Sequence, residues 1–141
     1  MSGYLVDTNV VSERTRDRPE ARVVAFLDDA PREQIFISVI SIGEICKGIE
    51  QLVPSKRRNG LQDWLDDYVR WWFDGRILPV SEMVAERWGR LAVLAKRPGP
   101  VLTVEDGLIA ATALEHGLTV VTRNVKDFEG LGVEILNPWE I

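Results

Sequence analysis

The stretch EDGLIAATALEHGLTVVTRNVKDF, residues 105–128, decides the fold. It starts a helix near Asp106, stops it at Gly117 after Glu115 and His116, and continues into a Val-rich strand that ends just before Asn124 and Asp127. Working outward, YLVDTN (4–9) is a short apolar run that stops at Asp7, and QIFISVISIGEI (34–45) passes from a β-rich stretch into a helix carrying Glu44. Short β-rich runs alternating with longer helical patterns predict βαβ units and a mainly parallel sheet.

The expected strands lie near residues 3–6, 34–38, 77–80, 119–122 and 133–136. Helices are expected near 8–14, 19–29, 41–53, 55–73, 81–96 and 104–116, with a short one at 124–128. RPGP (97–100) breaks the chain before the Asp106 helix, and the Arg-rich segment from Arg14 to Arg22 reads as a mobile connection. In a parallel α/β sheet the strand ends and helix starts share one edge. Asp7, Glu44, Asp106 and either Asn124 or Asp127 are therefore expected to converge there.

A chain of 141 residues has the size of one domain with a substantial core. No apolar run is long enough to span a bilayer, and the start shows no secretory signal pattern. One cysteine and one histidine exclude an intrachain disulfide, a Cys/His zinc cluster and catalysis by paired imidazoles. A cytoplasmic location is the expectation. The net charge of −5 is the wrong sign for holding nucleic acid through a bulk positive field, so a polyanionic substrate would depend on local Arg and Lys groups and on bound cations.

Each carboxylate has a plain explanation when taken singly. Asp7 can cap the next helix, as can Thr8; Ser41 with Glu44 has the spacing of a capping box, and Thr103 with Asp106 a weaker version of it. Their conjunction points elsewhere, because three carboxylates on one sheet edge repel and raise one another's pKa unless a cation sits among them. Hard oxygen donors suit Mg²⁺ or Mn²⁺, ions that activate water and stabilise charge building on a phosphate.

Taken together, VDTNVVS (6–12), SIGEICKG (41–48), the 105–128 block and the terminal ILNPW (135–139) resemble the PIN-domain ribonucleases, and within them the VapC-type toxins of toxin–antitoxin pairs, including the FitB-like branch. The resemblance covers essentially the whole chain. It implies a single α/β/α PIN domain over residues 1–141, a central mainly parallel sheet, and Mg²⁺- or Mn²⁺-dependent cleavage of single-stranded regions of RNA. By matching motif, Asp7, Glu44 and Asp106 are the implied metal ligands. The fourth site position is divided between Asn124, where FitB-like relatives carry an acid, and Asp127 of the TRNxxDF pattern. The implied partners are a VapB-type antitoxin, through which alone DNA is reached, and a second copy of the chain in a homodimer.

Thr8, Asn9, Thr122 and Asn124 are expected behind the ligands, orienting a water or phosphate. Arg14, Arg16 and Arg18 are candidate RNA contacts because they follow the Asp7 helix. Gly48, Gly107, Ala110 and Ala111 are read as close helix packing, and Cys46 as a small buried hydrophobe. The aromatic run WLDDYVRWWF (64–73) supplies core, and its excess of rings suits a docking surface. A phosphoryl-transfer enzyme with Asp7 as nucleophile is a weaker reading, since Asn9 stands where such enzymes commonly carry a second Asp. A scaffold that has lost its chemistry is opposed by the intact Asp7, Glu44 and Asp106.

Overall fold

A computed structural model describes residues 3–95 and 101–141. The expected break at RPGP lies at residues 97–100, outside them. Five strands, β1 (Tyr4–Val6), β2 (Ile35–Ser38), β3 (Ile77–Leu78), β4 (Thr119–Val121) and β5 (Ile135–Leu136), form one sheet in the order β3-β2-β1-β4-β5. Every pairing is parallel, Leu5 lying beside Phe36 on one side and Val120 on the other.

The strands are apolar on both faces because both are covered. Leu5 and Val120 point into one core with Ile109, Ala110, Ala113 and Phe128. Their neighbours Val6 and Val121 point into the other, with Val10, Ile37, Ile45, Leu65 and Phe73. One core is roofed by α1 (Thr8–Ser12), α2 (Ala21–Asp29), α3 (Val39–Glu50) and the aromatic helix, and the other by α6 (Glu82–Leu94), α7 (Val104–His116) and α8 (Val125–Phe128). This is the α/β/α sandwich with a parallel sheet that the sequence implies.

The aromatic helix, expected as one element over 55–73, runs as α4 (Lys56–Asp63), a π-helical stretch (Trp64–Val69) and α5 (Arg70–Trp72). Leu65, Val69 and Phe73 are buried, whereas Trp71 is 59% exposed, so the run divides between core and surface. Its last carbonyls are held by two arginines. Arg32 donates to the Trp72 carbonyl at 3.0 Å and stacks over the Trp71 ring, and Arg76 donates to the carbonyls of Arg32, Ile35 and Trp72. These cations satisfy carbonyls that a helix end leaves free and tie the helix to the edge where β2 and β3 begin.

The helix at 104–116 closes as expected: Gly117 turns left-handed at φ 65°, Leu118 N–H reaches the Ala113 carbonyl at 2.8 Å and Gly117 N–H reaches that of Leu114. Gly107 lets α7 approach α6, since a Cβ there would lie 2.7 Å from the Trp88 ring. Gly48 behaves differently from expectation: a Cβ on it would meet nothing within 4 Å, so it is not a packing glycine. Cys46 is exposed rather than buried. The Arg14–Arg22 segment is tied down, because the buried Glu13 carboxylate accepts the Glu20 N–H at 2.8 Å and Arg16 at 3.5 Å, and Arg14 pairs with Asp28.

Candidate active site at the switch point of the sheet

Strand order 3-2-1-4-5 means that the chain leaves β1 toward one side and later returns to the other, opening a crevice beyond the carboxyl ends of β1 and β4. Asp7 and Thr122 stand at those two ends. Asp7 caps α1, its Oδ1 accepting the Thr8 N–H at 2.8 Å. Its Oδ2 accepts the Thr122 hydroxyl at 2.8 Å and the Asn9 amide at 3.5 Å. Thr122 is fully buried and Asp7 nearly so.

The network continues outward. Thr122 Oγ1 accepts the Asn124 N–H at 3.0 Å and the Asn9 amide at 3.4 Å, while Asn9 Oδ1 accepts the Arg123 N–H at 3.4 Å. The four residues expected to support the site all lie around Asp7: Asn9, Thr122 and Asn124 on the β4 side, and Thr8 on the other.

The capping-box reading of Glu44 fails. Ser38 caps α3, accepting the Ile40 N–H at 3.0 Å, so Ser41 already lies within the helix, and its buried hydroxyl has no hydrogen-bond partner. Glu44 sits in the second turn of α3 and accepts the Thr8 hydroxyl at 2.7 Å, a bond across 36 residues of sequence. Asp106 lies in the first turn of α7, which Thr103 caps by accepting the Asp106 N–H at 3.1 Å.

Glu44, Asp106 and Asn124 line one open cleft of about 710 Å³, together with Val39, Lys47 and Glu105 among others. Asp127 lines an adjoining depression with Arg123, Lys126 and Asn124, so Asn124 borders both. The electrostatics join the two. Asp106 is pushed up to about 6, first by burial and then by the charges of Asp7 and Asp127, with Glu44 adding a smaller push. Burial also raises Asp7, against the hydrogen bonds from Thr122 and Thr8, and Asp127 adds to it. Glu44 is raised by burial and then by Asp7 and Glu105, with the Thr8 hydroxyl and the Lys47 charge opposing.

Asp7, Glu44 and Asp106 are all raised, and Asp127 adds to the first and last of them; such a group offers hard oxygen donors of the kind that suit a divalent cation, which would relieve the repulsion. As placed, no three His, Cys, Asp or Glu side chains among the described residues form a ready-made metal cluster. The donors fit such an ion by chemistry and charge, but they are not drawn into a finished cage.

The expected RNA contacts are placed elsewhere. Arg14 is paired with Asp28, Arg16 with Glu13, and neither these nor the exposed Arg18 line the cleft. Lys47, overlooked in the sequence, does line it. Its position three residues after Glu44 on one helix is the signal that would have found it. Arg123, stacked over Trp139 in the adjoining depression, was also passed over, having been read only as part of a strand end.

The family model described as "PIN domain" matches residues 4–132. Toxin FitB of Neisseria gonorrhoeae is 41% identical over 135 residues, covering 96% of this chain and 97% of its own. VapC ribonuclease Y4jK of Sinorhizobium fredii is 37% identical, covering 96% and 97%. The crystal structure of FitAcB from Neisseria gonorrhoeae superposes with a TM-score of 0.91 at 40% identity, covering 98% of this chain and 99% of that one. The chain belongs to the PIN-domain family, in its VapC-type, FitB-like toxin–antitoxin branch.

Proposed function

We propose that this protein is an Mg²⁺- or Mn²⁺-dependent endoribonuclease toxin that cuts single-stranded regions of RNA and is silenced by a cognate antitoxin. The observation that carries the reading is the meeting of Asp7, Glu44 and Asp106 at the switch point of a parallel sheet, where Glu44 and Asp106 line an open cleft and the buried Asp7 lies behind them. The ribonuclease name of the Sinorhizobium relative and the toxin name of the Neisseria relative support it. An open cleft suits a polymer that lies across it.

Asp7, Glu44 and Asp106 would hold the cation, and Asp127 would serve as the fourth carboxylate through the field it already exerts on Asp7 and Asp106. The bound ion would supply Lewis acidity at the phosphate and a more acidic water. Thr122 and the Thr8 N–H favour the ionised form of Asp7 against the cost of its burial and hold the carboxylate in place, and Asn9 and Asn124 brace Thr122. Lys47 and Arg123 flank the carboxylates and would meet RNA phosphates there, with the exposed Arg16 and Arg18 serving RNA beyond the cleft. The antitoxin would cover the acidic edge, presenting an Arg or Lys to the carboxylates. The chain would act as a homodimer, with the exposed Trp71 and Tyr68 offered as docking anchors.

The test is cleavage by the partner-free chain of end-labelled single-stranded RNA, double-stranded RNA and single-stranded DNA, with Mg²⁺, Mn²⁺ or excess EDTA. Cutting of single-stranded RNA alone, abolished by EDTA and by Asp7→Asn or Asp106→Asn, is expected. Undiminished cutting in EDTA, or equal cutting of the duplex, would overturn the reading.

A further inference from the structure

One residue touches two of the acidic side chains at once. Thr8 donates its backbone N–H to Asp7 Oδ1 at 2.8 Å and its hydroxyl to Glu44 Oε1 at 2.7 Å. The first bond is the ordinary capping of α1 and any residue but proline would make it. The second needs a β-hydroxyl, and it joins the start of α1 to the second turn of α3. We propose that Thr8 is a positioning residue for the divalent cation, its hydroxyl setting the place of Glu44 relative to Asp7. The proposal rests on the metal-dependent reading above and adds to it a determinant of metal affinity.

The physical case is one of opposing forces. Asp7 and Glu44 repel, and Glu44 lines a cleft open to water. A free glutamate with three rotatable bonds would turn outward, away from the other charge and toward solvent. The Thr8 hydroxyl opposes this with a short bond to an ionised acceptor, of the stronger kind. It occupies one oxygen of Glu44 and leaves the other without any hydrogen bond among the described residues, still able to meet an ion. Among the described residues no second hydrogen bond holds Glu44: Ser41, the residue spaced to cap it, is turned into the core, and Lys47 acts on it through charge alone.

Two substitutions separate the hydroxyl from the cap. Thr8→Val keeps the backbone N–H, the branched shape and the α1 cap, and removes the hydroxyl alone; Thr8→Ser restores it. Mn²⁺ binding to the 141-residue chain, measured by isothermal titration calorimetry without RNA, should weaken by about 10- to 100-fold in Thr8→Val and return to within about threefold of the parent in Thr8→Ser. Circular dichroism should show the same helix content in all three. Mn²⁺ binding by Thr8→Val as tight as the parent's, or tighter, overturns the proposal while leaving the metal reading intact. Failure of the parent itself to bind Mn²⁺ overturns that reading, and the proposal with it.

Discussion

Asp106 shows how a single residue links charge, stability and function. A half-buried carboxylate raised from 3.8 to about 6 is destabilising when ionised, because folding moves it toward three like charges and partly out of water. For an acid raised on folding, the favourable contribution is present below the unfolded pKa and is lost as pH rises through the folded value. In EDTA the protein should therefore lose stability between about pH 4 and pH 6 on this account, and Asp106→Asn should be the more stable chain at pH 7.5. Solvent screening at a half-buried site reduces the gain to about 1 kcal/mol. Thermal melts of the two chains at pH 5 and pH 7.5 check it; a variant less stable than the parent at pH 7.5 would mean that Asp106 makes a stabilising contact that outweighs the repulsion. With a cation present the sign reverses, since only the ionised carboxyl ligates. Mn²⁺ affinity should fall as pH drops through about 6.

At the scale of elements, two glycines of similar appearance separate by what surrounds them. Gly107 lies in the first half of α7 with the Trp88 ring of α6 where its Cβ would be, so Gly107→Ala must displace that ring or push the two helices apart. Such overpacking costs about 1–3 kcal/mol. A strain taken up by the backbone would move the turn that carries Asp106, so urea midpoint and cleavage should fall together. Gly60, exposed within α4, would place a Cβ in open space, and Gly60→Ala should add about 0.5–1 kcal/mol by the usual cost of glycine in a helix. Equal effects of the two substitutions on the urea midpoint would remove close packing as the reason for Gly107. The helix positions were legible in the sequence, yet the pattern of small residues does not say which glycine faces a ring. Gly48 and Gly107 were expected to act alike, and only Gly107 packs.

For the whole molecule, the balance of charge and metal should be visible as a coupling between ligand and stability. An ion that binds only the folded chain stabilises it by RT ln(1 + [L]/Kd), about 2.7 kcal/mol at a hundredfold excess over Kd. Mn²⁺ should raise the melting temperature of the parent chain, do so less at pH 5 than at pH 7.5, and do so little or not at all in Asp7→Asn. A shift of equal size in Asp7→Asn would place the ion elsewhere on a molecule that carries 22 acidic side chains. Both cores are built between the sheet and its covering helices, and among the described residues no helix is long and apolar enough to cross a membrane.

The amino-acid sequence alone determined the alternation of strands and helices, the parallel class of sheet, the Gly117 stop and the arrival of Asp7, Glu44 and Asp106 at one edge. Local patterning decides each of these: runs of Val and Ile, capping residues and a glycine that can turn left-handed act within a few positions of themselves. Tertiary structure alone decided the partners. Thr8 to Glu44, Thr122 to Asp7 and Gly107 to Trp88 are contacts between elements, and no periodicity encodes which side chain lies across a gap. The same reason explains the misreadings of Ser41 and Cys46. Spacing assigned Ser41 to a cap and residue type assigned Cys46 to the core. The fold instead buried Ser41 and exposed Cys46, because packing is settled by the neighbours that the chain brings from far away.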